Sequence, residues 1–306
     1  MAAAPTSSSA TLISFDRPAQ IRAVLVGLAF FAVFYNVLLN LAYAWTHSAD
    51  WSHGWLIPLF SAYLVHARWA QVRRAPPRFA WLGLPVILAA LALYQYSLWG
   101  LRIGYIRPFS MLLCLLGIII YLCGLPILRH VWVPWLYLFF AVPIPKGYYF
   151  QLTDPLRRMA AVVTTHVLSL APGLDIEKVG STIHYVYQGQ SGALGVADAC
   201  AGMRSAMTLC ALGVAISFVS ERPWWQRLIM IASCVPIAIF ANFIRVTTTC
   251  VLHIYVDPRY ATGTYHIVLG LVTLLIAFGI FSGLGWILSH LFIEVPEDQA
   301  AQEQSG

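Results

Sequence analysis

Charge is what this sequence has least of. Its 18 Lys and Arg and 12 Asp and Glu fill 10% of 306 positions, where a soluble globular chain carries about 25%. So few charges cannot clothe a surface in polar groups, which excludes a water-soluble globule and makes the bilayer the solvent. Lysine is nearly missing, at Lys146 and Lys178 alone, and the arginines are scattered between apolar blocks. The formal charge of +6 therefore builds no basic face, which excludes nucleic acid as the main partner. Six cysteines without CxxC spacing exclude a disulfide-stapled secreted scaffold. Asp50, Asp154, Asp175, Glu177 and Asp198 form no DxD or DD pair, so the paired acids of a metal-dependent glycosyl or lipid transferase are lacking. The histidines show no metal-ligand spacing with one another or with carboxylates, and neither a metal nor a cofactor is expected.

What is present is apolar and long. The hydrophobic share is 60%, in blocks near 21–45, 55–69, 80–99, 109–127, 131–145, 202–220, 228–252 and 264–291. A membrane-spanning helix needs about 20 apolar residues, so the expected fold is an all-α polytopic membrane protein with about eight transmembrane helices. The fifth block is interrupted by Pro134, Pro143 and Pro145, and both it and the second are short enough to tilt or re-enter. The first block is too long for the apolar part of a signal peptide and is expected to remain. Basic residues divide evenly between the two faces. The densest short loop, Arg68 to Arg78, decides the orientation and puts the N-terminus inside. The organisation expected is a cytoplasmic tail at 1–20, a transmembrane domain at 21–291 and an acidic, disordered cytoplasmic tail at 292–306.

One region outside the membrane is substantial, about 146–199, and is expected on the extracytoplasmic side. Residues 151–171 alternate apolar and polar positions at helical spacing, with Pro172-Gly173 as a stop, and read as an amphipathic interfacial helix. Residues 179–197 are rich in β-branched and aromatic types around the turn Gln188-Gly189-Gln190-Ser191-Gly192, the composition of a β-hairpin. The hairpin delivers the chain to Asp198-Ala199-Cys200.

Five of the cysteines lie inside apolar runs, where Cys acts as a small buried hydrophobe. Cys200 differs. It stands at the entry to the sixth block, two residues after a possible N-cap, Asp198. There the free N–H groups and the helix dipole favour an anion and lower a thiol pKa. Arg245 lies within an apolar run, where a charge is expensive and marks a function or a specific partner. His266 opens the eighth block. The sixth span begins on one face, the seventh returns to it and the eighth leaves it, so Cys200, Arg245 and His266 share a leaflet in either orientation. A thiolate, an imidazole and a fixed guanidinium are the minimum set for acyl transfer. Asn242 shares a helix face with Arg245, Arg204 follows Cys200 by four residues, and Ser52 and His53 fall on the same side by the same count. These four are candidates to line the site or bind substrate. Each also has a structural reading: a snorkelling arginine, a capped turn, a helix-end histidine.

The segments SHGWLIPLF, VADACAGMRSAM, ANFIRV and GTYHIVLG, in this order and spacing, resemble the exosortase and archaeosortase family of membrane-embedded cysteine transpeptidases. The resemblance covers roughly residues 20–290. It implies Cys200 as nucleophile, with Arg245 and His266 completing the catalytic set. It also implies substrates that are secreted proteins ending in a short motif, often Pro-Glu-Pro, followed by one transmembrane helix and a basic cluster. Such an enzyme would act at the outer face of the inner membrane of a cell that makes exopolysaccharide. Membrane lipid is the other partner expected, and the oligomeric state is left open. The chain departs from the family at Ala201, where Ser is usual, and no soluble domain is expected after the eighth span. Two other classes compete. A transporter would place polar residues near the midplane of several spans, and a non-catalytic scaffold would leave Cys200 replaceable.

Overall fold

A computed structural model describes residues 17–76, 78–100, 104–195, 202–220, 222–261 and 263–291. It is mostly helical with one small sheet, and it divides into two units, residues 1–148 and 149–306.

In the first unit, α1 (Arg17–His47) runs into a 3-10 turn (Ala49–Trp55) and α2 (Leu56–Ala67). Then follow α3 (Trp69–Arg74), α4 (Gly83–Trp99) and α5 (Ile106–Tyr137), which ends in a second 3-10 turn (Leu138–Ala141). α5 is a folded hairpin rather than a rod. At Gly124 the backbone takes φ 79° and ψ 174°, far from helical values, and a Cβ there would collide with the Arg78 carbonyl. The contacts across the fold are symmetric about it. Trp135 Nε1 donates to the Leu112 carbonyl at 2.8 Å, and Phe109 meets Phe139 with ring centroids 5.5 Å apart. The two legs, 106–123 and 125–137, thus correspond to the fourth and fifth apolar blocks, with the boundary at Gly124 instead of at Arg129 and His130. The first leg packs closely on α4 because Gly83 and Gly117 face one another where any side chain would clash.

In the second unit, α6 (Lys146–Leu168) leads to a three-stranded antiparallel meander, β1 (Leu174–Val179), β2 (Thr182–Tyr187) and β3 (Gln190–Gly195). The expected hairpin is β2 and β3, closed by Gln188 and Gly189, both with positive φ, as a two-residue type I′ turn requires. β1 adds a strand that the sequence reading left out. α6 starts five residues earlier than expected, and its inner stripe is small: Thr153, Ala160, Ala161, Thr164 and Leu168 are buried. Val162 and Val167 face outward, on an apolar side suited to lipid.

Three helices complete this unit: α7 (Gly202–Val219), α8 (Trp224–Tyr255) and α9 (Gly263–Leu291). Their core contains Leu209, Met230, Cys234, Ala238, Ala277 and Phe281, with Gly213 letting the Cys234 sulfur in. At one end Arg222 Nη1 donates to the Gly285 carbonyl at 2.8 Å and Gln226 Nε2 to that of Leu288 at 3.2 Å. Towards the other end the sheet and α6 pack on α8 through Ile183, Leu174, Ala161, Val246 and Cys250. Thr164 and Thr247 join α6 to α8 by a hydroxyl pair 3.1 Å apart.

Four helical segments among the described residues are long and apolar enough to cross a membrane: Gln20–His47, Ile106–Ala141, Trp224–Tyr255 and Gly263–Leu291. Gly83–Trp99 and Ala206–Val219 are apolar but shorter.

Candidate active site

Arg245 lies in the later half of α8 and is 3% exposed. Its guanidinium packs against α9 at Gly270, where a Cβ would stand 3.1 Å from Cζ and from Nη2. That glycine leaves the space the guanidinium fills. His266 is the fourth residue of α9. It precedes Gly270 by one turn, about 6 Å of helix, on the same face. The register of α8 against α9 therefore brings position 266 to within a turn of the Arg245 guanidinium. Thr249 Oγ1 donates to the Arg245 carbonyl at 2.8 Å, and both residues are sealed from solvent.

Cys200 lies outside the described residues, as do Asp198 and Ala201. Their flanks are described. β3 ends at Gly195, paired with Thr182, and α7 begins at Gly202. The segment carrying Cys200 is thus a six-residue link from the last strand of the sheet into a helix. Arg204 is the third residue of α7.

Asn242, one turn before Arg245, opens onto a slot of about 80 Å³ between α6, α7 and α8. A slot of that size suits one small side chain rather than a sugar or a cofactor. Leu156, Met159, Ala160 and Val163 of α6, Ala206 of α7, and Ala238, Ile239 and Phe243 of α8 make its walls apolar. Thr153, Arg157 and Asn242 supply the polar groups. The two neighbouring arginines of α6 separate here. Arg157 reaches the slot, with its guanidinium also 5.8 Å from the Phe150 ring centre, whereas Arg158 pairs with Asp154 at 2.6 Å on the exposed side.

Ser52 and His53 belong to the first unit. Ser52 Oγ donates to the Ala49 carbonyl at 3.0 Å, closing the 3-10 turn. His53 is buried beside Trp51, with ring centroids 5.8 Å apart. Burial lowers its pKa, while the Phe140 and Asp50 backbone and the Asp50 charge pull the other way; neither ring nitrogen gains a close hydrogen bond. Gly54 lets the Trp45 indole lie against the turn, and Trp45 Nε1 donates to the Ala141 carbonyl at 2.8 Å.

The sequence pattern of transmembrane exosortases matches residues 45–283. The chain belongs to the transmembrane exosortase family. No curated protein and no solved structure matches it. The matched region of this exosortase opens at Trp45, the residue that seats the Ser52-His53 turn, and closes in α9 beyond Gly270. It takes in Cys200, Arg204, Asn242, Arg245 and His266 together with Ser52 and His53. The family is in general one of cysteine transpeptidases, and its members lie in membranes, as the apolar helices here require.

Sequence reasoning missed Gly270 and Thr153. The sequence held a signal for the first. A small residue four positions after His266, on a helix meant to face a buried arginine, is the residue a close guanidinium needs. The Asp154–Arg158 spacing of i,i+4 likewise separates Arg158 from Arg157 without a structure.

Proposed function

We propose that this exosortase is a cysteine peptidase or transpeptidase that removes C-terminal sorting signals from secreted proteins at the extracytoplasmic face of the plasma membrane, with eight spans and Cys200 as nucleophile. The observation that carries the reading is the buried Arg245 guanidinium, held against Gly270 one turn from His266, in the family-matched region. A guanidinium fixed in a dry site is a preorganised donor for an oxyanion that forms only during reaction.

The Cys200 thiolate attacks the carbonyl carbon of the scissile peptide, and the electron pair of the C=O moves to oxygen. Arg245 stabilises that oxyanion. Collapse breaks the C–N bond, the leaving amine takes a proton from His266, and a thioester remains on Cys200. An amine from the envelope, or water, then attacks the thioester and gives its proton to His266, and Cys200 leaves as thiolate. Substrate helices dock laterally in the bilayer, which places the short motif at the membrane surface beside the site. The slot at Asn242 fits a small apolar motif residue such as proline, and Arg157 at its edge suits a neighbouring carboxylate. Ser52, His53 and Arg204 are assigned to lining the site.

The test is co-expression with a secreted protein carrying such a tail, followed on a gel. Cys200→Ala abolishes the size shift and Cys210→Ala, in α7, leaves it in place. Processing that survives in Cys200→Ala overturns the assignment of the nucleophile.

A further inference from the structure

The first unit holds a cavity that the proposed chemistry does not use. It has a volume of about 370 Å³ and lies between α1, the start of α5 and the segment after the second 3-10 turn. Its polar lining is Asn40, Tyr105 and Arg107, and its apolar wall includes Val37, Leu41 and Pro143. Arg107 is the one charged residue among the described lining, so its charge faces no carboxylate there. Its Nε is buried without a hydrogen-bond partner. A half-buried guanidinium that lines an open volume, with no carboxylate in that lining, suits an anion.

Depth indicates which anion. Asn40 lies seven residues before His47, the last residue of α1, which is about 10 Å of helix. The end of α1 is level with the end of α5, since Trp45 bonds the Ala141 carbonyl, and the first leg of α5 begins beside the end of the second, as Trp135 and Leu112 require. The cavity therefore opens near the end of the bundle, within the depth of a lipid headgroup and its glycerol. Beside it Tyr35, Leu39 and Tyr43 of α1 present exposed apolar and aromatic surface, along which acyl chains can lie.

We propose that this cavity binds the phosphate of an anionic phospholipid headgroup, with Arg107 as its counter-ion and Asn40 and Tyr105 as hydrogen-bond donors. One cation without a carboxylate beside it favours a lipid of net negative charge over a zwitterionic one. The experiment is native mass spectrometry of the full-length protein in detergent with dioctanoyl phosphatidylglycerol, dioctanoyl phosphatidylcholine and inorganic phosphate, none of which depends on peptidase activity. Wild type retains phosphatidylglycerol at least tenfold better than phosphatidylcholine. Arg107→Gln loses that preference, and Arg107→Lys keeps most of it. Asn40→Asp, at an exposed position where folding is undisturbed, loses it as well, while the exposed Arg259→Gln behaves as wild type. Equal retention of the two lipids, unaltered retention in Arg107→Gln, or binding of inorganic phosphate without the lipid overturns the proposal. So does an Arg107→Gln protein that keeps its lipid but no longer processes substrate, which would make the occupant part of the substrate.

Discussion

Gly270 sets what Arg245 can do. A side chain at 270 would stand 3.1 Å from the guanidinium carbon, closer than a relaxed contact of about 3.5 to 4.0 Å. The guanidinium has little room to retreat, because Arg245 is sealed on α8. Gly270→Ala is therefore expected to lower processing by roughly tenfold, about 1.4 kcal/mol of transition-state stabilisation, and Gly270→Val to lower it further. Thermal stability in detergent should change less than activity in the alanine variant. Equal processing by wild type and Gly270→Val would mean that the position of the guanidinium is irrelevant to the reaction. That Arg245 and His266 are candidates was legible in the sequence, because a charge in an apolar run and a histidine at a helix start stand out against their surroundings. Gly270 was not, since a lone glycine in an apolar helix carries no meaning until the partner helix is in place.

At the scale of elements, the periodic and apolar segments were legible and their joints were not. The helical blocks fall where the hydrophobic runs lie, and the β-rich composition of 182–195 gave the hairpin with its turn. β1 was overlooked because Asp175, Glu177 and Lys178 dilute its apolar character, although Leu174 and Ile176 alternate inward against the core. The hairpin in α5 was placed a few residues late for a related reason. Arg129 and His130 are the polar residues there and look like a loop, whereas the turn is made by Gly124, whose positive φ the structure demands. Substituting this glycine tests the point. Gly124→Ala places a Cβ at φ 79° against the Arg78 carbonyl, and the left-handed backbone alone costs about 1 to 2 kcal/mol. The variant is expected to unfold at lower temperature in detergent than Gly279→Ala, whose added methyl meets open space. Matching melting temperatures for the two would contradict the folded-back geometry of α5.

Across the whole molecule, the prediction concerns which residues share a face of the membrane. Four segments are long and apolar enough to cross, and the fold at Gly124 makes Ile106–Ala141 a there-and-back pair. With the shorter apolar helices Gly83–Trp99 and Ala206–Val219 the count comes to seven, and the remaining expected span, at 55–69, coincides with the twelve-residue α2. The orientation expected from the sequence puts residues 174–200 on the face opposite the Arg68–Arg78 loop. The prediction is read by labelling intact cells with a membrane-impermeant maleimide in a Cys200→Ala background. Ser181→Cys, in the turn between β1 and β2, should label from outside. Arg74→Cys, at the end of α3, should label only after permeabilisation, and the remaining native cysteines, set in helices and at most partly exposed, contribute a low background. Labelling of Arg74→Cys from outside with Ser181→Cys protected would invert the protein and move the thiol chemistry to the cytoplasmic face, where secreted proteins with a C-terminal anchor do not present their motif. Labelling of both from outside would break the alternation, and with it the argument that Cys200, Arg245 and His266 share one leaflet.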